Sequence, residues 1–471
     1  MPWMNLRRAS SAMVDLPVAR AGESWRETLD RTALVPRGFG FFRRRLSFVP
    51  VERPASQPCE MNLAWLHNQG PEYSAAAVTT SNRFPGAPVV LTRERLARGV
   101  VRAILVNTKV ANVAAPGGLE TARRVAAAAA EAFSLPREEV LSVSTGVIGW
   151  GLPLEEMLRE IPSLSQGACG AGGFAEAIMT TDRYPKAAWT SLDPDGPDPD
   201  GPDRDGTDRD GTDRDGTDAC GGPVILGVAK GAGMIEPHLA TMLAFFVTDA
   251  AVPPDMLDRV LRRVTEKSFN RLSVDSDQST SDMVVALANG ASGCSVGEAE
   301  LEAAWQPLAD RLALEIVRNG EGTSHVIEVV LKGFPSSSLA GNVGRHVVNS
   351  PLVKTAIFGN DPNVGRILMA LGDGLSRYDR EGIMDTSRLV MTIAGREVYR
   401  QGAFLLDQET EELLCASLRA TAMDPVLAGV PQDRGTVRIV LDFPGDDRED
   451  VRVIGSDLSD EYLRVNADYR T

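Results

Sequence analysis

Short apolar runs alternate with helical patterns along most of this chain, and this alternation limits the folds that are open to it. Residues 101–107 (VRAILVN) are typical of a buried strand, and residues 120–133 (ETARRVAAAAAEAF) of an Ala-rich helix. Strand patterns return in the C-terminal half, at residues 325–333 (HVIEVVLKG), 388–395 (RLVMTIAG) and 436–443 (TVRIVLDF). Interleaved strands and helices indicate α/β or α+β packing, and the periodicity does not say which strands pair.

The composition is that of a globular protein without a membrane span. Of the 471 residues, 43% are hydrophobic and 24% are charged. No apolar run approaches the ~18 residues of a transmembrane helix. Residues 1–33 contain Arg but no uninterrupted apolar core, so we expect a loose extension or an over-called start codon there rather than a secretory signal. The cysteines lie far apart without a CxxC pair, which fits a reducing cytoplasm. The histidines show no ligand spacing, so neither a metal nor another cofactor is expected.

Residues 193–217 are five acidic pentads, DPDGP twice and DRDGT three times. With Asp218, the tract supplies eight of the fifteen excess negative charges. It offers little apolar surface to bury, so we expect a solvated tip inserted between two strands. A calcium loop of the EF-hand type needs a Gly and a Glu at fixed positions that a five-residue period does not supply. Without the tract the chain is only mildly acidic, so nucleic acid is not an expected partner.

Four stretches place small and polar residues among apolar ones, and each also has a plain structural explanation. A Thr-Gly pair in STGVIG (144–149) offers a hydroxyl and a backbone N–H to one point, as an oxyanion needs, or it forms a simple turn. AIMTTDRYPK (177–186) holds two hydroxyls and a carboxylate, or it is a capped helix end. AKGAGMIEPHLATML (229–243) places Lys230 eleven residues before Thr241, or it is a core strand or helix. NGEGTSH (319–325) holds Glu321 between glycines, or it is a Gly-rich turn.

Together these stretches resemble one family, the glutamate N-acetyltransferases, also called ornithine acetyltransferases, of the arginine pathway. The resemblance runs from about Gly38 to Thr471 and includes residues 268–282 (SFNRLSVDSDQSTSD), 349–366 (NSPLVKTAIFGNDPNVGR) and 465–471 (VNADYRT). The stretches SNRFPGAPVVL, EPHLATMLAFFVTDA and GSDLSDEYLRVNADYRT are similar to a specialised branch of the family, represented by the clavulanic acid pathway paralogue.

The resemblance implies an autoprocessed α/β fold in which Thr241 is an N-terminal nucleophile. In the family the bond between Ala240 and Thr241 is cut autocatalytically. Residues 34–240 would then form an α chain with the acidic insertion 193–218, and residues 241–471 a β chain with a C-terminal α/β subdomain. The resemblance further implies that the two chains stay intertwined and that two of each form a heterotetramer.

The resemblance also implies roles for the residues that match the family's motifs. Thr145 and Gly146 would form the oxyanion hole. The side chains expected to contact the amino-acid substrate are Thr181, Lys230, Thr241, Glu321, Asn466 and Thr471. Thr180 is the alternative to its neighbour Thr181. By charge, Lys230 suits an α-carboxylate and Glu321 suits a cationic amine.

Self-cleavage would create the catalytic base. The α-amine of an N-terminal Thr has a reference pKa of about 7.7–8.0 and can accept the hydroxyl proton, whereas the amide nitrogen before cleavage cannot. The acetyl group would pass from N-acetylornithine to Thr241, releasing ornithine, and then to glutamate. Acetyl-CoA stays open as a second donor. The expected partners are therefore small amino-acid substrates in the cytoplasm, with no nucleic acid and no membrane.

Two departures from the family pattern bear on substrate choice. Lys109 and Val110 replace the first two residues of a Gly-Asn-Ala-Asn run, and Val364 replaces a Trp. Three alternatives stay open: a specialised enzyme for a related acylated amino acid, an N-terminal-nucleophile amidohydrolase, and an uncleaved binding or regulatory subunit. The transferase is favoured over the hydrolase by Lys230, Glu321 and Asn466, because a hydrolase needs no site for an amino-acid acceptor.

Overall fold

Three β-sheets and the helices packed on them make up the part of the chain that the structure, a computed structural model, describes. The described residues are 14–97, 99–192, 222–236, 242–445 and 448–467. The predictions that lie outside them concern Ala240, Thr241, Thr471 and the acidic insertion 193–218.

Strands and helices alternate along the described chain, as the sequence pattern predicts. The strands are β1 (Phe39–Phe48), β2 (Cys59–Asn68), β3 (Ser74–Thr79), β4 (Ala103–Asn107), β5 (Val140–Ser144), β6 (Ala168–Cys169), β7 (Lys186–Ser191), β8 (Val224–Lys230), β9 (Leu243–Thr248), β10 (Leu272–Ser273), β11 (Met283–Ala288), β12 (Val326–Lys332), β13 (Val390–Ile393), β14 (Arg396–Arg400), β15 (Ala403–Phe404), β16 (Thr436–Asp442) and β17 (Val451–Ser456). The α-helices are α1 (Trp25–Thr32), α2 (Ala87–Leu96), α3 (Gly118–Ala132), α4 (Leu154–Glu160), α5 (Ala171–Ala177), α6 (Pro254–Lys267), α7 (Glu298–Arg318), α8 (Ser337–Asn349), α9 (Pro351–Phe358), α10 (Val364–Tyr378), α11 (Gln408–Thr421) and α12 (Asp460–Ala467). Short 3₁₀ helices lie at Arg137–Glu139, Ile161–Gln166, Phe269–Arg271, Thr386–Arg388 and Pro425–Leu427.

The strands form three mixed sheets. The first has the order β5-β4-β2-β1-β6, the second β3-β11-β9-β8-β7, and the third β10-β17-β12-β16-β13-β14-β15. In the first sheet only the β4–β5 pair is parallel among the described strands, and in the second only the β9–β11 pair is. The mixed α/β fold class predicted from the sequence is confirmed.

The first two sheets pack face to face between two layers of helices. Their facing sides meet in one apolar cluster, in which Leu66 of β2 and Val106 of β4 lie with Phe245 of β9. Helix α3 covers the outer face of the first sheet, and α6 and α7 cover the outer face of the second. Phe246 belongs to that outer cluster because consecutive strand residues point to opposite faces. The layers therefore follow the order helix, sheet, sheet, helix.

The third sheet packs with its own set of helices near the C-terminal end, and Leu272, Val326 and Ile454 connect it to the cluster of α6 and α7. Its strands share an apolar cluster of their own with α8, α9, α10 and α11. This unit corresponds to the C-terminal α/β subdomain that the family resemblance implies. Among the described residues, none of the helices combines the length and the apolar stretch that crossing a bilayer requires.

The loose extension predicted for residues 1–33 is wrong for its last part. Trp25 and Leu29 lie on α1 and are buried in the cluster between the first two sheets. Ser24 and Glu27 form a capping box at the start of this helix. The Ser-x-x-Glu spacing was the available signal, but eight residues are too few for helical periodicity to stand out.

Chain segments from both sides of position 241 build the second sheet. β3, β7 and β8 precede this position, and β9 and β11 follow it. β8 and β9 are antiparallel neighbours, with Lys230 opposite Leu243. A cut after Ala240 would therefore leave one sheet shared by two chains.

We expect the two chains of a cleaved protein to migrate as one species in native size-exclusion chromatography and to separate only in denaturant. Separation would break the β8–β9 ladder and expose apolar faces on both sides of the sheet. Resolution of the two fragments in native buffer would contradict the shared sheet.

Candidate active site

β5 ends in a tight turn that presents Thr145 and Gly146. Thr145 is buried, and its N–H donates to the Asn107 carbonyl at 3.0 Å. Gly146 has a φ of +134°, and a Cβ at this position would lie 2.2 Å from the Lys109 carbonyl carbon. Only glycine fits this backbone conformation and this close approach. Among the described residues the Gly146 N–H has no backbone partner, so it is available to the oxygen of a ligand.

The side chain of Lys230 ends at the Thr145 hydroxyl. Lys230 is the last residue of β8 and is only 2% exposed. Its Nζ donates to Thr145 Oγ1 at 3.0 Å and to Thr180 Oγ1 at 2.9 Å. Because an ammonium only donates, both hydroxyl oxygens accept, and the Thr145 hydrogen is left for another acceptor. The structure thus brings Thr180 rather than Thr181 to Lys230.

A buried carboxylate and a second ammonium hold this end of β8 in place. Asp182 Oδ1 accepts hydrogen bonds from Lys186 Nζ at 2.5 Å and from the Gly231 N–H at 2.8 Å. Its Oδ2 accepts from the Thr180 N–H at 3.0 Å. The side chains of Asp182 and Lys186 have no exposed surface. Asp182 therefore fixes both the residue that follows Lys230 and the backbone of Thr180.

Burial and charge act in opposite directions on this cluster. Burial alone would raise the pKa of the Asp182 carboxyl, but the ammonium groups of Lys186 and Lys230, together with the Gly231 N–H, hold that pKa well below its usual range. Burial lowers the pKa of Lys230, Asp182 opposes the change, and Lys186 adds to it. With two ammonium groups and one carboxylate, these three residues favour an anionic group or a developing negative charge.

The segment after Lys230 connects this cluster with Glu321 and Asn466. The Glu321 N–H donates to the Ala232 carbonyl at 2.8 Å. A Cβ on Gly233 would lie 2.5 Å from Glu321 Oε2, so the backbone of Gly233 lies directly against the carboxylate. Asn466 Nδ2 donates to Glu321 Oε2 at 3.0 Å. The charge of Glu321 also opposes the lowering of the Lys230 pKa, which places both groups in one electrostatic environment.

Most of the predicted site residues therefore surround residues 230–236. The ones that the structure brings to this segment or its neighbours are Thr145, Gly146, Lys230, Glu321 and Asn466. Thr181 forms no side-chain hydrogen bond with another described residue, and Ala240, Thr241 and Thr471 lie outside the described residues. Lys186 is not among the predicted site residues, because its i,i+4 pair with Asp182 lies in an irregular turn and not on a helix.

A buried cation, a hydroxyl and an available backbone N–H define a site that can bind an anionic oxygen. Comparison with known proteins agrees with an enzyme site of this kind. The model of the ArgJ family matches residues 54–197 and 216–471. The chain is 38% identical over 402 residues to glutamate N-acetyltransferase Oat2 from Streptomyces clavuligerus, covering 84% of this chain and 90% of the relative.

Two further relatives carry names from arginine biosynthesis. The chain is 38% identical over 436 residues to the arginine biosynthesis bifunctional protein ArgJ from Geobacter sulfurreducens, covering 90% of this chain and 98% of the relative. A crystal structure of the bifunctional protein ArgJ from Bacillus halodurans is 31% identical, with a TM-score of 0.41, and covers 48% of this chain and 98% of that chain. The chain belongs to the ArgJ family. The family resemblance found in the sequence is thereby confirmed.

Replacing Gly146 by Ala should destabilise the protein, because strain at positive φ costs about 1–3 kcal/mol and the Cβ would also overlap the Lys109 carbonyl. Gly149 is a matched control, since its φ is +89° but a Cβ there meets nothing within 4 Å. Denaturant unfolding should show a larger loss for Gly146→Ala than for Gly149→Ala. Equal losses would contradict the close approach at Gly146.

Proposed function

We propose that this chain is a glutamate N-acetyltransferase that cuts itself between Ala240 and Thr241. It then transfers an acetyl group from N-acetylornithine to glutamate through an acetyl-Thr241 intermediate. Membership of the ArgJ family and the names of the relatives support this proposal. The observation that carries it is the buried hydrogen bond from Lys230 to the Thr145 hydroxyl, beside the available N–H of Gly146.

In the proposed reaction Thr145 and Gly146 form the oxyanion hole. The Thr145 hydroxyl accepts from Lys230 and can therefore donate its own hydrogen to the oxygen of a tetrahedral intermediate. The Gly146 N–H is the second donor. A cation behind the hydroxyl strengthens the donated hydrogen bond, and burial of the pair keeps water from screening it.

The same lysine has a donor left for the substrate. An ammonium has three N–H groups, and Lys230 directs two of them to Thr145 and Thr180. The third suits the α-carboxylate of ornithine or glutamate. Glu321 suits the cationic amine of the substrate. Thr181, Asn466 and Thr471 complete the proposed set of substrate contacts.

The chemistry balances with Thr241 as both nucleophile and base. Its hydroxyl oxygen attacks the acetyl carbonyl while its α-amine takes the hydroxyl proton, and ornithine leaves with that proton on its amine. The amine of glutamate then attacks the acetyl ester, and its proton returns to the Thr241 oxygen. The same pocket serves donor and acceptor because both present an α-amino-acid end.

Assembly, location and a second donor are parts of the same proposal. Two α chains that end at Ala240 and two β chains that begin at Thr241 form the proposed heterotetramer, and acetyl-CoA is a proposed additional donor. A cytoplasmic location is supported by the free thiols of Cys59, Cys169, Cys294 and Cys415.

Wild-type protein should appear on a denaturing gel as two chains, because the chain is cut once. N-terminal sequencing of the second chain should begin at Thr241. Thr241→Ala should leave one full-length chain without transferase activity, because both nucleophile and base are lost. A Thr241→Ala protein that still splits at this bond would refute the assignment.

Initial rates should give parallel double-reciprocal plots at several glutamate concentrations, because ornithine leaves before glutamate reacts. Thr145→Val should lower kcat by roughly 10²–10³-fold, the usual effect of losing one oxyanion donor. Lys230→Met should lower kcat through Thr145 and also raise KM for both amino acids. The fold-decrease in kcat of the double variant Thr145→Val/Lys230→Met should therefore be smaller than the product of the two single decreases, since Lys230 acts on kcat through Thr145.

Intersecting plots would rule out the acetyl-threonine route. Acetate release that proceeds equally well without glutamate would instead identify an amidohydrolase. The chain is 38% identical both to Oat2 and to the Geobacter relative, so sequence identity does not separate the two branches. Initial rates with a panel of acylated amino acids distinguish specificity for ornithine from that of the specialised branch.

A further inference from the structure

One loop contacts the chain on both sides of the proposed cleavage position. At the start of the loop, Asp275 accepts from the Met234 N–H with Oδ2 at 2.6 Å and from the Ile235 N–H with Oδ1 at 2.7 Å. At its end, Asp282 accepts from the Met242 N–H with Oδ1 at 2.8 Å. Two carboxyl groups of one loop thus hold the two described segments that flank residues 237–241.

Backbone hydrogen bonds reinforce both contacts. The Val274 N–H donates to the Ile235 carbonyl at 2.8 Å, and the Met283 N–H donates to the Met242 carbonyl at 3.3 Å. Each flanking segment is therefore held by a carboxyl group and by a neighbouring main-chain bond. The loop belongs to the stretch 268–282 that resembles the family, but no substrate contact or oxyanion donor has been assigned to it.

Asp282 is an unusual residue to bury for structural reasons alone. It has no exposed surface, and its Oδ2 has no hydrogen-bond partner among the described residues. Burial raises the pKa of its carboxyl well above the usual range, although the Met242 N–H and the charge of Lys230 oppose this. An incompletely satisfied buried carboxyl is costly, so the contact of Asp282 with the Met242 N–H, beside the proposed cleavage position, calls for a functional explanation.

Covalent connectivity gives the two contacts different roles. The Met242 nitrogen is bonded directly to the carbonyl carbon of Thr241, whereas Ile235 lies on the Ala240 side of the scissile bond. Before cleavage both contacts hold one continuous chain. After cleavage only the Met242 contact still holds the chain that carries the nucleophile.

We propose that Asp275 and Asp282 are positioning residues that hold the scissile bond for self-cleavage, and that Asp282 alone continues to position the nucleophile in the mature enzyme. This inference rests on the proposed function, since it requires a cut before Thr241. The loop would thus take part in processing. Asp275 would act on the Ala240 side of the scissile bond, and Asp282 on the Thr241 side.

The test compares variants of the full chain during a processing time course on denaturing gels. Asp282→Leu keeps the side-chain size but removes the acceptor, while Asp282→Asn keeps an oxygen for the Met242 N–H. Asp275→Leu removes the contact on the other side. Asp407→Leu is the matched control, because Asp407 accepts from the Thr410 N–H at 2.8 Å at the start of α11. Kinetic constants are measured on the cleaved fraction after long incubation.

Asp282→Leu should slow processing by about 10- to 100-fold, the effect of losing a strong buried hydrogen bond. It should also lower kcat of the cleaved fraction with KM within about twofold of wild type, because the nucleophile is misplaced while the substrate contacts stay. Asp282→Asn should restore both rates, since the amide oxygen replaces Oδ1 as the acceptor for the Met242 N–H. Asp407→Leu should process and turn over normally.

Asp275→Leu should slow processing to a similar degree but leave kcat of the cleaved fraction unchanged. Asp275→Leu should also raise KM. Asp275 holds the segment that contains Gly233, and Gly233 lies against Glu321, which is a proposed substrate contact. Equal losses of kcat in Asp275→Leu and Asp282→Leu would overturn the inference and indicate general disruption of the loop. Normal processing of Asp282→Leu would also overturn it.

If Asp282→Leu does not fold, Asp282→Asn still decides the matter, because loss of processing in a folded Asn variant would show that the hydrogen-bond acceptor is not what matters. Wild-type protein that never cleaves would instead refute the proposed function. Normal wild-type cleavage with unaffected Asp282→Leu refutes only the role of the loop.

Discussion

The hydrogen bond between Lys230 and Thr145 is the contact on which the site depends, because it joins the ends of two sheets. Thr145 follows β5 of the first sheet, and Lys230 ends β8 of the second. A lysine buried this deeply needs a compensating charge, and Asp182 supplies one while it also fixes the Gly231 N–H. The geometry of the candidate site is therefore a property of how the two sheets pack, and not of one flexible loop.

Periodicity was sufficient to predict interleaved strands and helices, and the family resemblance added the α/β fold. The apolar run of residues 101–107 contains β4, and the Ala-rich pattern at 120–133 corresponds to α3. A long helical pattern or a fully apolar run identifies its helix or strand, because the burial of that element alone sets the positions of its apolar residues. Helix α1 was missed since its burial depends on a distant partner surface, the space between two sheets, which no local pattern encodes.

The candidate site was predicted in part, through the motifs that carry the family resemblance. Thr145, Lys230 and Glu321 lie on three separate parts of the chain, and only the motifs link them. The choice between Thr180 and Thr181 depends on the turn before β7, where one residue changes the direction of a side chain. The contacts of Asp282 with Met242 span 40 residues, and neither charge pattern nor spacing indicates such a pair.

The antiparallel pairing of β7 with β8 also separates the acidic tract from the site. Lys186 and Lys230 lie at one end of this strand pair, and the tract joins the chain at the other, after Ser191 and before Val224. Six residue steps of a strand amount to about 20 Å. Exposed charges are largely screened beyond about 8 Å at physiological ionic strength. The point where the tract is attached is thus far from the buried ammonium of Lys230, and we expect the charge and length of the tract to have little effect on that group.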